Sequence, residues 1–508
     1  MKFTVDRDAL GEAVTWVARA LPTRPVLPVL AGLLLRAERA DQDQDQPRGN
    51  GPGFLTLSCF DYEVSARMRV RAEVAEPGTF LVPGRLLVEI VRSLPAAPVE
   101  FGDDPDGISV TCGEASFAVA SLPSAEYPEL PDLPQLAGTA DGGVLAAAIG
   151  QVTPAASRDD TLPMLTAVNV EFDGESMTLA ATDRYRLAVR ELAWNPAPGF
   201  GDQGRTALLV PAKTLSDAAK MMSPGTEVRI MLRPTGDGTG AAASGKDGAG
   251  GRDIGADGEG ARSGGGDTGA GRVGASAGGG DIGAGQAPAG RVTAGGAGAA
   301  EAMIGFEAGD RQLTARLLAG EFVRYRSRFP EEFACTADLP AEAFIEAVRR
   351  VALVAERGTP VQLTFAPGRV TVGAATQGQA RARESLPADF TGGEPAIAFS
   401  PHYLLDGVIA ATASSGIATA SAGHATAGHA TAGRSAGTAG HTGNIGNTES
   451  DQARPAAAER GAASGRVRLW FTSASKPAVI TSQPAPDAGA KLAEADFRYL
   501  VVPQRVAQ

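Results

Sequence analysis

One pattern recurs three times along this chain: an apolar strand reaches a proline and continues into an amphipathic helix. It occurs as TFLVPGRLLVEIVRSL, ALLVPAKTLSDAAKMM and IAFSPHYLLDGVIAA, with the prolines at Pro83, Pro211 and Pro401. Proline suits the first helical turn because the N–H that it lacks would have no intrahelical partner there. The prolines are 128 and 190 residues apart, and removing about 62 residues of Gly-rich sequence makes the intervals equal. The chain is therefore read as three copies of one unit, the second of which is interrupted.

A second amphipathic helix is predicted near the start of each copy, in DALGEAVTWVARAL, GVLAAAIGQVTPAAS and AEAFIEAVRRVALVAER. The apolar residues that would share one stripe are Leu10, Val14, Val17 and Leu21; Leu145, Ile149 and Val152; and Phe344, Val348, Val351 and Ala355. Alternating segments typical of antiparallel strands lie between the two helices of each copy. The repeat is far longer than the roughly 20–50 residues of a solenoid. The predicted fold class is α+β, with three equivalent two-layer domains.

The predicted domain limits are 1–128, 129–333 and 334–508. Two low-complexity tracts, at about 235–300 and about 412–465, are predicted to be disordered insertions in the second and third domains. They carry too few large apolar residues to offset the entropy of ordering the chain. A shorter polar loop at about 40–53 interrupts the first domain.

The composition limits the class of protein. The formal net charge of −12 argues only weakly against a nucleic-acid partner, because binding depends on where charge is placed. Three widely spaced cysteines indicate neither a disulfide framework nor a zinc site. No apolar run has the length of a signal peptide or a membrane span. We expect a reduced, cytoplasmic protein that needs no cofactor or metal.

The segment ATDRYRLAVRE, residues 181–191, gathers arginine in an acidic chain. Read as a continuous strand with period two, it puts one set of side chains on each face: Thr182, Arg184, Arg186 and Arg190 on the first, and Asp183, Tyr185, Leu187 and Val189 on the second. We expect one face to pack and the other to meet solvent or a partner.

With the triplication in view, the chain resembles the bacterial sliding clamps, the beta subunits of the replicative DNA polymerase. The resemblance runs through the whole chain outside the insertions. It is carried by MKFTVDRDAL, TRPVLPVLAGLLL, ATDRYRLAVRE, LLAGEFVRYRSRFP and FRYLVVPQRV, in that order and spacing.

The resemblance implies a non-enzymatic processivity factor: a head-to-tail homodimer of six domains that closes into a ring around duplex DNA. Helices would line the hole, where basic side chains give salt-sensitive contacts to phosphates without reading sequence. Arg24 in TRPVLP matches a DNA-contacting arginine of the family. The helices and their ends supply the other candidates: Arg19, Arg85, Arg92, Lys213, Lys220, Arg349 and Arg350.

The resemblance also implies a cleft between the second and third domains, in which polymerases, the clamp loader and repair proteins insert a short peptide. By motif, its walls would be Arg158, Thr161, Thr182, Arg184, Tyr185, Arg186, Leu187, Val323, Arg328, Leu500, Val501, Val502, Pro503, Gln504, Arg505 and Val506. The apolar residues would receive leucine- or phenylalanine-type anchors, and the arginines would hold the peptide backbone or carboxylates.

Some groove positions depart from the common family pattern. Val323 stands where proline is common, Arg184 and Tyr185 replace a Gly-His pair, and Gln504 replaces an apolar residue. Ordinary family drift is one interpretation. The other is a specialised paralogue with altered affinity for partners or an inhibitor.

Other signals are weaker. GAAASGKD (240–247) nearly fits a phosphate-binding loop but has Asp247 in place of the required hydroxyl. The histidines His424, His429 and His441 lie in low-complexity sequence, Asp159 and Asp160 are expected to be a loop feature, and Cys112 is expected to be a packed strand residue. A hydrolase or ligand-binding protein that shares only the fold remains the alternative from another class, although no convergent polar cluster points to it.

Overall fold

The computed structural model describes residues 1–40, 51–105, 107–201, 204–233, 302–356, 358–376, 380–393, 396–424, 465–482, 492 and 495–504. Within these ranges three units follow one another, and each has two helices and two groups of antiparallel strands. The first unit contains α1 (Arg7–Val17), α2 (Gly84–Ser93), β1 (Lys2–Val5), β2 (Gly32–Arg39), β3 (Gly51–Phe60), β4 (Val64–Glu76), β5 (Gly78–Pro83), β6 (Val99–Asp104), β7 (Gly107–Cys112) and β8 (Ala115–Ala120).

The second and third units repeat this order of elements. The second contains α3 (Gly142–Val152), α4 (Ala212–Ala219), β9 (Gln135–Asp141), β10 (Ala167–Asp173), β11 (Ser176–Thr182), β12 (Arg186–Ala193), β13 (Asn195–Pro196), β14 (Thr206–Pro211), β15 (Glu227–Arg233), β16 (Met303–Ala308) and β17 (Arg311–Arg316). The third contains α5 (Ala341–Ala352), α6 (Pro401–His424), β18 (Cys335–Pro340), β19 (Val361–Ala366), β20 (Arg369–Thr376), β21 (Ala380–Pro387), β22 (Asp389–Thr391), β23 (Ala396–Phe399), β24 (Arg466–Phe471), β25 (Ala478–Ser482) and β26 (Phe497–Val501).

The helices form where their ends are capped and their apolar stripes are buried. Asp6 caps α1 by accepting hydrogen bonds from the amides of Asp8 and Ala9, and Asp141 caps α3 through the amide of Val144. Of the predicted stripe residues, Ala355 is half-buried and the others are buried. Pro83 and Pro211 occupy the N-cap, one position earlier than expected, whereas Pro401 is the first residue of α6.

The two helices of each unit pack against each other: α1 on α2, α3 on α4, and α5 on α6. They cover one face of the sheets, and one large apolar core joins the helices and sheets of all three units. This is the two-layer arrangement that the periodicity predicts.

Two sheets continue from one unit into the next. β4 of the first unit pairs antiparallel with β17 of the second, within a 13-stranded sheet. β12 of the second unit pairs in the same way with β26 of the third, within a nine-stranded sheet. These two places are called the first and second junctions below. Backbone hydrogen bonds therefore hold the units in a fixed relation along the chain.

The structure corrects the limits of two predicted irregular segments. β3 begins at Gly51, and the amide of Ala40 bonds to the carbonyl of Pro52, so the ends of the polar loop belong to a hairpin. α6 continues to His424, past the expected start of the third-domain insertion. The rest of these tracts, and nearly all of the insertion at about 235–300, lies outside the described residues.

Candidate functional site

The segment ATDRYRLAVRE is a hairpin and not the continuous strand expected from its alternation. β11 ends at Thr182 and β12 begins at Arg186. The Asp183 carboxylate makes the turn by accepting hydrogen bonds from the amides of Tyr185 (3.0 Å) and Arg186 (3.1 Å). Arg184 takes the left-handed conformation, with φ +81°, that this tight turn requires.

Arg186 does not face solvent, contrary to the expectation that it would hold a bound peptide. Its Nε donates to Asp183 (3.0 Å), Nη1 donates to Asp406 of α6 and lies 3.4 Å from the Tyr499 hydroxyl, and the guanidinium lies 4.6 Å from the centroid of the Tyr403 ring. Burial alone would lower the pKa of Arg186, but Tyr499, Asp406 and Asp183 outweigh it and raise that pKa. Arg186 thus fixes the turn to the third unit.

Arg190 is a second buried arginine of this hairpin. Burial lowers the pKa of its guanidinium, and Asp496, at 3.6 Å, opposes that effect. Both faces of β12 are covered: helix α3 packs on one face, and the segment 322–329, which leads from the second unit to the third, packs on the other. Arg186 and Arg190 tie the second unit to the third.

A small apolar cluster, separate from the main core, lies on the face of the second junction opposite to the helices. This face is called the outer face below. The cluster comprises Ala180, Leu187, Val189, Tyr325 and Leu500, with Phe322, Val323, Phe329 and Val502 half-buried against it. We call it the groove cluster. The half-buried members leave apolar surface accessible at its edge, as a site for short apolar anchors requires.

The C-terminal strand forms one side of the groove cluster. In the pairing of β12 with β26, Arg186 lies opposite Val501 and Leu187 opposite Leu500. Beyond the strand, the Val502 amide bonds to the carbonyl of Tyr185 (2.9 Å), and the Gln504 amide bonds to the carbonyl of Ala398 (2.7 Å). Val501 is a correction to the expected wall: alternation points it to the main core, whereas Leu500 joins the groove cluster.

The other predicted groove residues lie at several depths. Thr182 is buried, and its hydroxyl donates to the carbonyl of Arg186 (2.6 Å). Arg158, Thr161, Arg328 and Gln504 are exposed, and Pro503 is half-buried. Arg505 and Val506 lie outside the described residues.

Two residues of α6 that contact the turn were not predicted from the sequence. The Tyr403 ring stacks on that of Tyr185, with centroids 6.1 Å apart and planes 16° apart, and Asp406 binds Arg186. Tyr185 itself is 50% exposed, so this aromatic pair borders the turn at the surface. The available signal was the aromatic and acidic pair in the first turns of the third strand–proline–helix repeat, PHYLLD.

A basic cleft lies on the helix side of the first junction. Arg19, Arg24 and Lys213 line a cavity of about 260 Å³ together with Asp61 and Asp217. Nearby, Arg85 donates to the carbonyl of Pro22 (3.3 Å), the residue that precedes the Thr23–Arg24 loop. The structure therefore brings together five of the eight predicted DNA-contacting residues, because Lys220 binds Asp217 of the same cleft.

Lys220 reaches the cleft by sharing Asp217 with Lys213, at 2.6 and 3.4 Å. The other three predicted residues are placed differently. Arg350 makes two hydrogen bonds to Glu384, and Arg349 lies 2.9 Å from Glu346, so part of their charge is neutralised by the chain itself. Arg92 is exposed in the last turn of α2.

The weaker sequence signals give no chemical site in the described part of the chain. Asp159 is a turn residue whose carboxylate accepts hydrogen bonds from the amide and hydroxyl of Thr161; these bonds, assisted by Arg184, lower its pKa. Cys112 is buried against backbone carbonyls. The segment 240–247, His429 and His441 lie outside the described residues, as does the side chain of His424. Within the described ranges no cluster of acidic, histidine or cysteine side chains is arranged to bind a metal, and no helix could cross a membrane.

Family models match most of the chain outside the insertions. They are the N-terminal, central and C-terminal domains of the DNA polymerase III beta subunit, which match residues 1–131, 140–241 and 326–418.

Curated relatives extend this similarity. The beta sliding clamp of Streptomyces coelicolor is 38% identical over all of both chains. That of Micrococcus luteus is 39% identical over 76% of this chain and 99% of its own. A beta sliding clamp homolog, GriR, from Streptomyces muensis is 36% identical over 80% of this chain and 88% of its own.

Solved structures share the fold at lower identity. The DNA polymerase sliding clamp of Bacillus subtilis has a TM-score of 0.66 and 20% identity, with full coverage of both chains. The sliding clamp of Pseudomonas aeruginosa bound to griselimycin has a TM-score of 0.66 and 21% identity, again with full coverage of both chains.

Proposed function

Because the chain belongs to the DNA polymerase III beta-subunit family, the beta sliding clamps, we propose that two copies close head to tail into a ring around duplex DNA. The protein is a processivity clamp, which holds a polymerase on its template. It acts by topology rather than by catalysis, in the cytoplasm. The three domains are taken as 1–128, 129–333 and 334–508.

One observation supports the ring: equivalent strands pair at both junctions within the chain, and the two strands that would form a third such junction each have one free edge in the described sheets. At the first junction Ala66 of β4 lies opposite Leu313 of β17, and at the second Ala188 of β12 lies opposite Tyr499 of β26. All four side chains are buried. In the unit repeat, β21 takes the place of β4 and β12, and β8 takes the place of β17 and β26.

The leftover strands are free edges within the described sheets. By the same register, Ala382 of β21 would lie opposite Phe117 of β8, and both are half-exposed in the single chain. β8 and β21 lie in the first and third units, so their pairing joins one copy head to tail to the next. Such pairing removes two aggregation-prone edges and gives a closed, symmetric assembly.

A substitution at Leu353 tests whether two chains close into a ring, without changing a residue of the core. It follows directly after α5, which packs on β21, and its side chain is 84% exposed. Arg19, at the corresponding place after α1, lines the cleft at the first junction beside Ala66 and Leu313. The third junction should place Leu353 in a corresponding cleft, beside Ala382 and Phe117.

We predict that Leu353→Asp weakens the dimer. Full burial of a leucine is worth about 1.5–3 kcal/mol, so partial burial at each of the ring's two interfaces should make the dissociation constant rise by about tenfold or more in the variant. Analytical ultracentrifugation measures it. Val26→Asp, which changes a side chain that is 79% exposed and lies outside β8, β21 and α5, is the matched control and should stay dimeric. An unchanged dimer in Leu353→Asp would contradict the proposed ring.

DNA and partner peptides would use opposite faces of the sheets. Arg19, Arg24, Arg85 and Lys213 on the helix side would contact phosphates of the enclosed duplex, with smaller contributions from Arg92, Lys220, Arg349 and Arg350. The groove cluster would take the apolar anchors of a short peptide from the polymerase, the clamp loader or a repair protein. Tyr185, Tyr403 and Arg184 would border that peptide at the turn.

A specialised paralogue is the second candidate, favoured by the similarity to GriR and by the residues of the turn. Arg184 and Tyr185 stand where the family commonly has a smaller Gly-His pair. The carbonyl of Tyr185 accepts a hydrogen bond from the amide of Val502, which belongs to the groove cluster. If these two residues alter ligand choice, Arg184→Gly with Tyr185→His should change the affinity for griselimycin or for a clamp-binding peptide at least about tenfold, as calorimetry would show. Equal affinities before and after the exchange would favour ordinary drift.

A further inference from the structure

A buried carboxylate, that of Glu171, lies on the outer face of the sheet beside the groove cluster. Glu171 is two residues along β10 from Asn169, and Asn169 lies opposite Ala180 of the cluster in the pairing of β10 with β11. Residues two apart on a strand, and residues directly opposite on neighbouring strands, share one face. The Glu171 side chain is 9% exposed, so its charge must be balanced within the protein.

Four side chains donate hydrogen bonds to this carboxylate. Oε1 accepts from the amide of Asn169 (2.9 Å), and Oε2 accepts from the hydroxyl of Tyr325 (3.0 Å). The guanidiniums of Arg326 (2.8 Å) and Arg205 share Oε2. Burial and the charge of Arg326 both lower the pKa of Arg205, so the two guanidiniums are close enough to repel each other. The negative charge of Glu171 holds them together.

Tyr325 connects Glu171 with the groove cluster. Its side chain is 5% exposed, is one of the buried members of the cluster, and packs edge-on against Phe322, with the ring centroids 6.0 Å apart. The segment 322–329 supplies four of the nine side chains of the cluster. One wall of the groove is therefore attached to the sheet through the Tyr325 hydroxyl and the Arg326 guanidinium.

The first unit contains an equivalent of this segment. Leu122, after β8, forms a bridge to β5, and Leu318, after β17, forms the same kind of bridge to β14. Since β8 and β17, and likewise β5 and β14, hold the same places in their units, the segments that follow the two bridges correspond. Each of them buries a tyrosine, Tyr127 in the first unit and Tyr325 in the second.

The hairpin turns align the two units residue by residue. The Asp61 carboxylate accepts hydrogen bonds from the backbone amides two and three residues further on, as the Asp183 carboxylate does. The residue five positions before each aspartate pairs with Arg36 in the first unit and with Glu171 in the second. Arg36 therefore takes the place of Glu171, and the fold itself does not require a carboxylate there.

The two tyrosines are held at different places along the hairpin. The Tyr127 hydroxyl accepts a hydrogen bond from the amide of Phe60 (2.7 Å), the residue directly before the turn. The Tyr325 hydroxyl donates to Glu171, which is level with the fifth residue before its own turn. Four residues of a strand span about 13 Å. The tyrosine of the second unit is thus held further from the turn than its equivalent in the first.

We propose that Glu171 is the positioning residue of the peptide groove. It holds Tyr325 away from the turn, so that the apolar surface beside the turn, where the amide of the half-buried Val502 bonds to the carbonyl of Tyr185, stays accessible to the anchors of a peptide. Without this carboxylate the Tyr325 hydroxyl would lose its acceptor and the two guanidiniums would repel each other, so the wall formed by the segment 322–329 would be released. This role rests on the proposed function of the groove cluster.

The test measures, by fluorescence anisotropy, the binding of a fluorescein-labelled polymerase peptide with leucine and phenylalanine anchors to the full-length protein. Glu171→Gln should raise the dissociation constant about tenfold. Tyr325→Phe keeps the ring and removes only the hydroxyl, and should raise the dissociation constant about fivefold. The double variant should bind no more weakly than Glu171→Gln alone, because the second change removes a bond that the first has already weakened.

Glu307→Gln is the matched control. Glu307 lies on β16 in the sheet of the first junction, its side chain is 17% exposed, and it binds the guanidinium of Arg229 (2.6 Å) and the side-chain amide of Gln312 (2.9 Å). The control removes the same charge from a similar set of partners and should change the peptide affinity less than about twofold. It separates the positioning of the groove from a general loss of stability.

Three outcomes would overturn the proposal. Unchanged affinity in Glu171→Gln, while the unsubstituted protein binds the peptide, would contradict the positioning role and leave the groove itself standing. Equal weakening by Glu307→Gln, or fully additive effects of Glu171→Gln and Tyr325→Phe, would show that overall stability and not the position of Tyr325 sets the affinity. Absence of binding to the unsubstituted protein would contradict the proposed groove, and the role of Glu171 with it.

Discussion

At the residue scale, Arg186 connects the proposed groove to the third unit. It bonds Asp183 in the turn and Asp406 in α6, and it lies over Tyr403, whose ring stacks on Tyr185. The side chains of Arg186, Asp183 and Asp406 are 7%, 11% and 22% exposed. Removing one partner from so buried a set leaves the opposite charges uncompensated.

We predict that Arg186→Met lowers the free energy of unfolding by about 3 kcal/mol, the cost of breaking a buried ion pair from one side. It should also weaken clamp-peptide binding about tenfold or more, because the turn that borders the groove loses its anchor. Urea denaturation and peptide anisotropy measure the two effects.

Arg349→Met is the control for Arg186→Met, because it removes an ion pair whose side chains are about half-exposed. Such pairs contribute about 1 kcal/mol or less. Equal losses in the two variants would contradict the anchoring role of Arg186.

At the scale of elements, the repeated helices and strands could be predicted because each follows a periodic pattern. The stripes Leu10–Val14–Val17 and Phe344–Val348–Val351 are buried as expected. The hairpin at Thr182–Arg186 could not be recognised by alternation, because a single side chain, Asp183, makes the turn inside an alternating run.

The candidate site shows the same limit. The motif located the hairpin and the C-terminal strand, but sequence alone could not tell Leu500 from Val501, which point to opposite faces. Nor could it pair Tyr403 or Asp406 with the turn, because they lie more than two hundred residues away along the chain. Nor could the sequence show that Ser65 and Thr314 occupy, at the first junction, the places of Leu187 and Leu500 at the second, because this comparison needs the strand register.

At the scale of the whole molecule, the proposed ring needs a second copy. Two junctions form within one chain, and the proposed third would join β8 of one chain to β21 of the next. The basic cleft of the first junction lies on the helix side, while the groove cluster lies on the outer face of the second junction. In the proposed ring the helix side would face the DNA, and the outer face would hold partners.

The most direct measurement is the retention of the protein on circular and linear DNA. The clamp is loaded onto a nicked circular plasmid by its clamp loader, and the complex is filtered in about 1 M salt, where the Debye length is about 3 Å and phosphate contacts are screened. A topological ring should stay on the circle and leave within minutes after a restriction enzyme opens it. Release from the intact circle by salt, or equal retention on the linear DNA, would contradict the account.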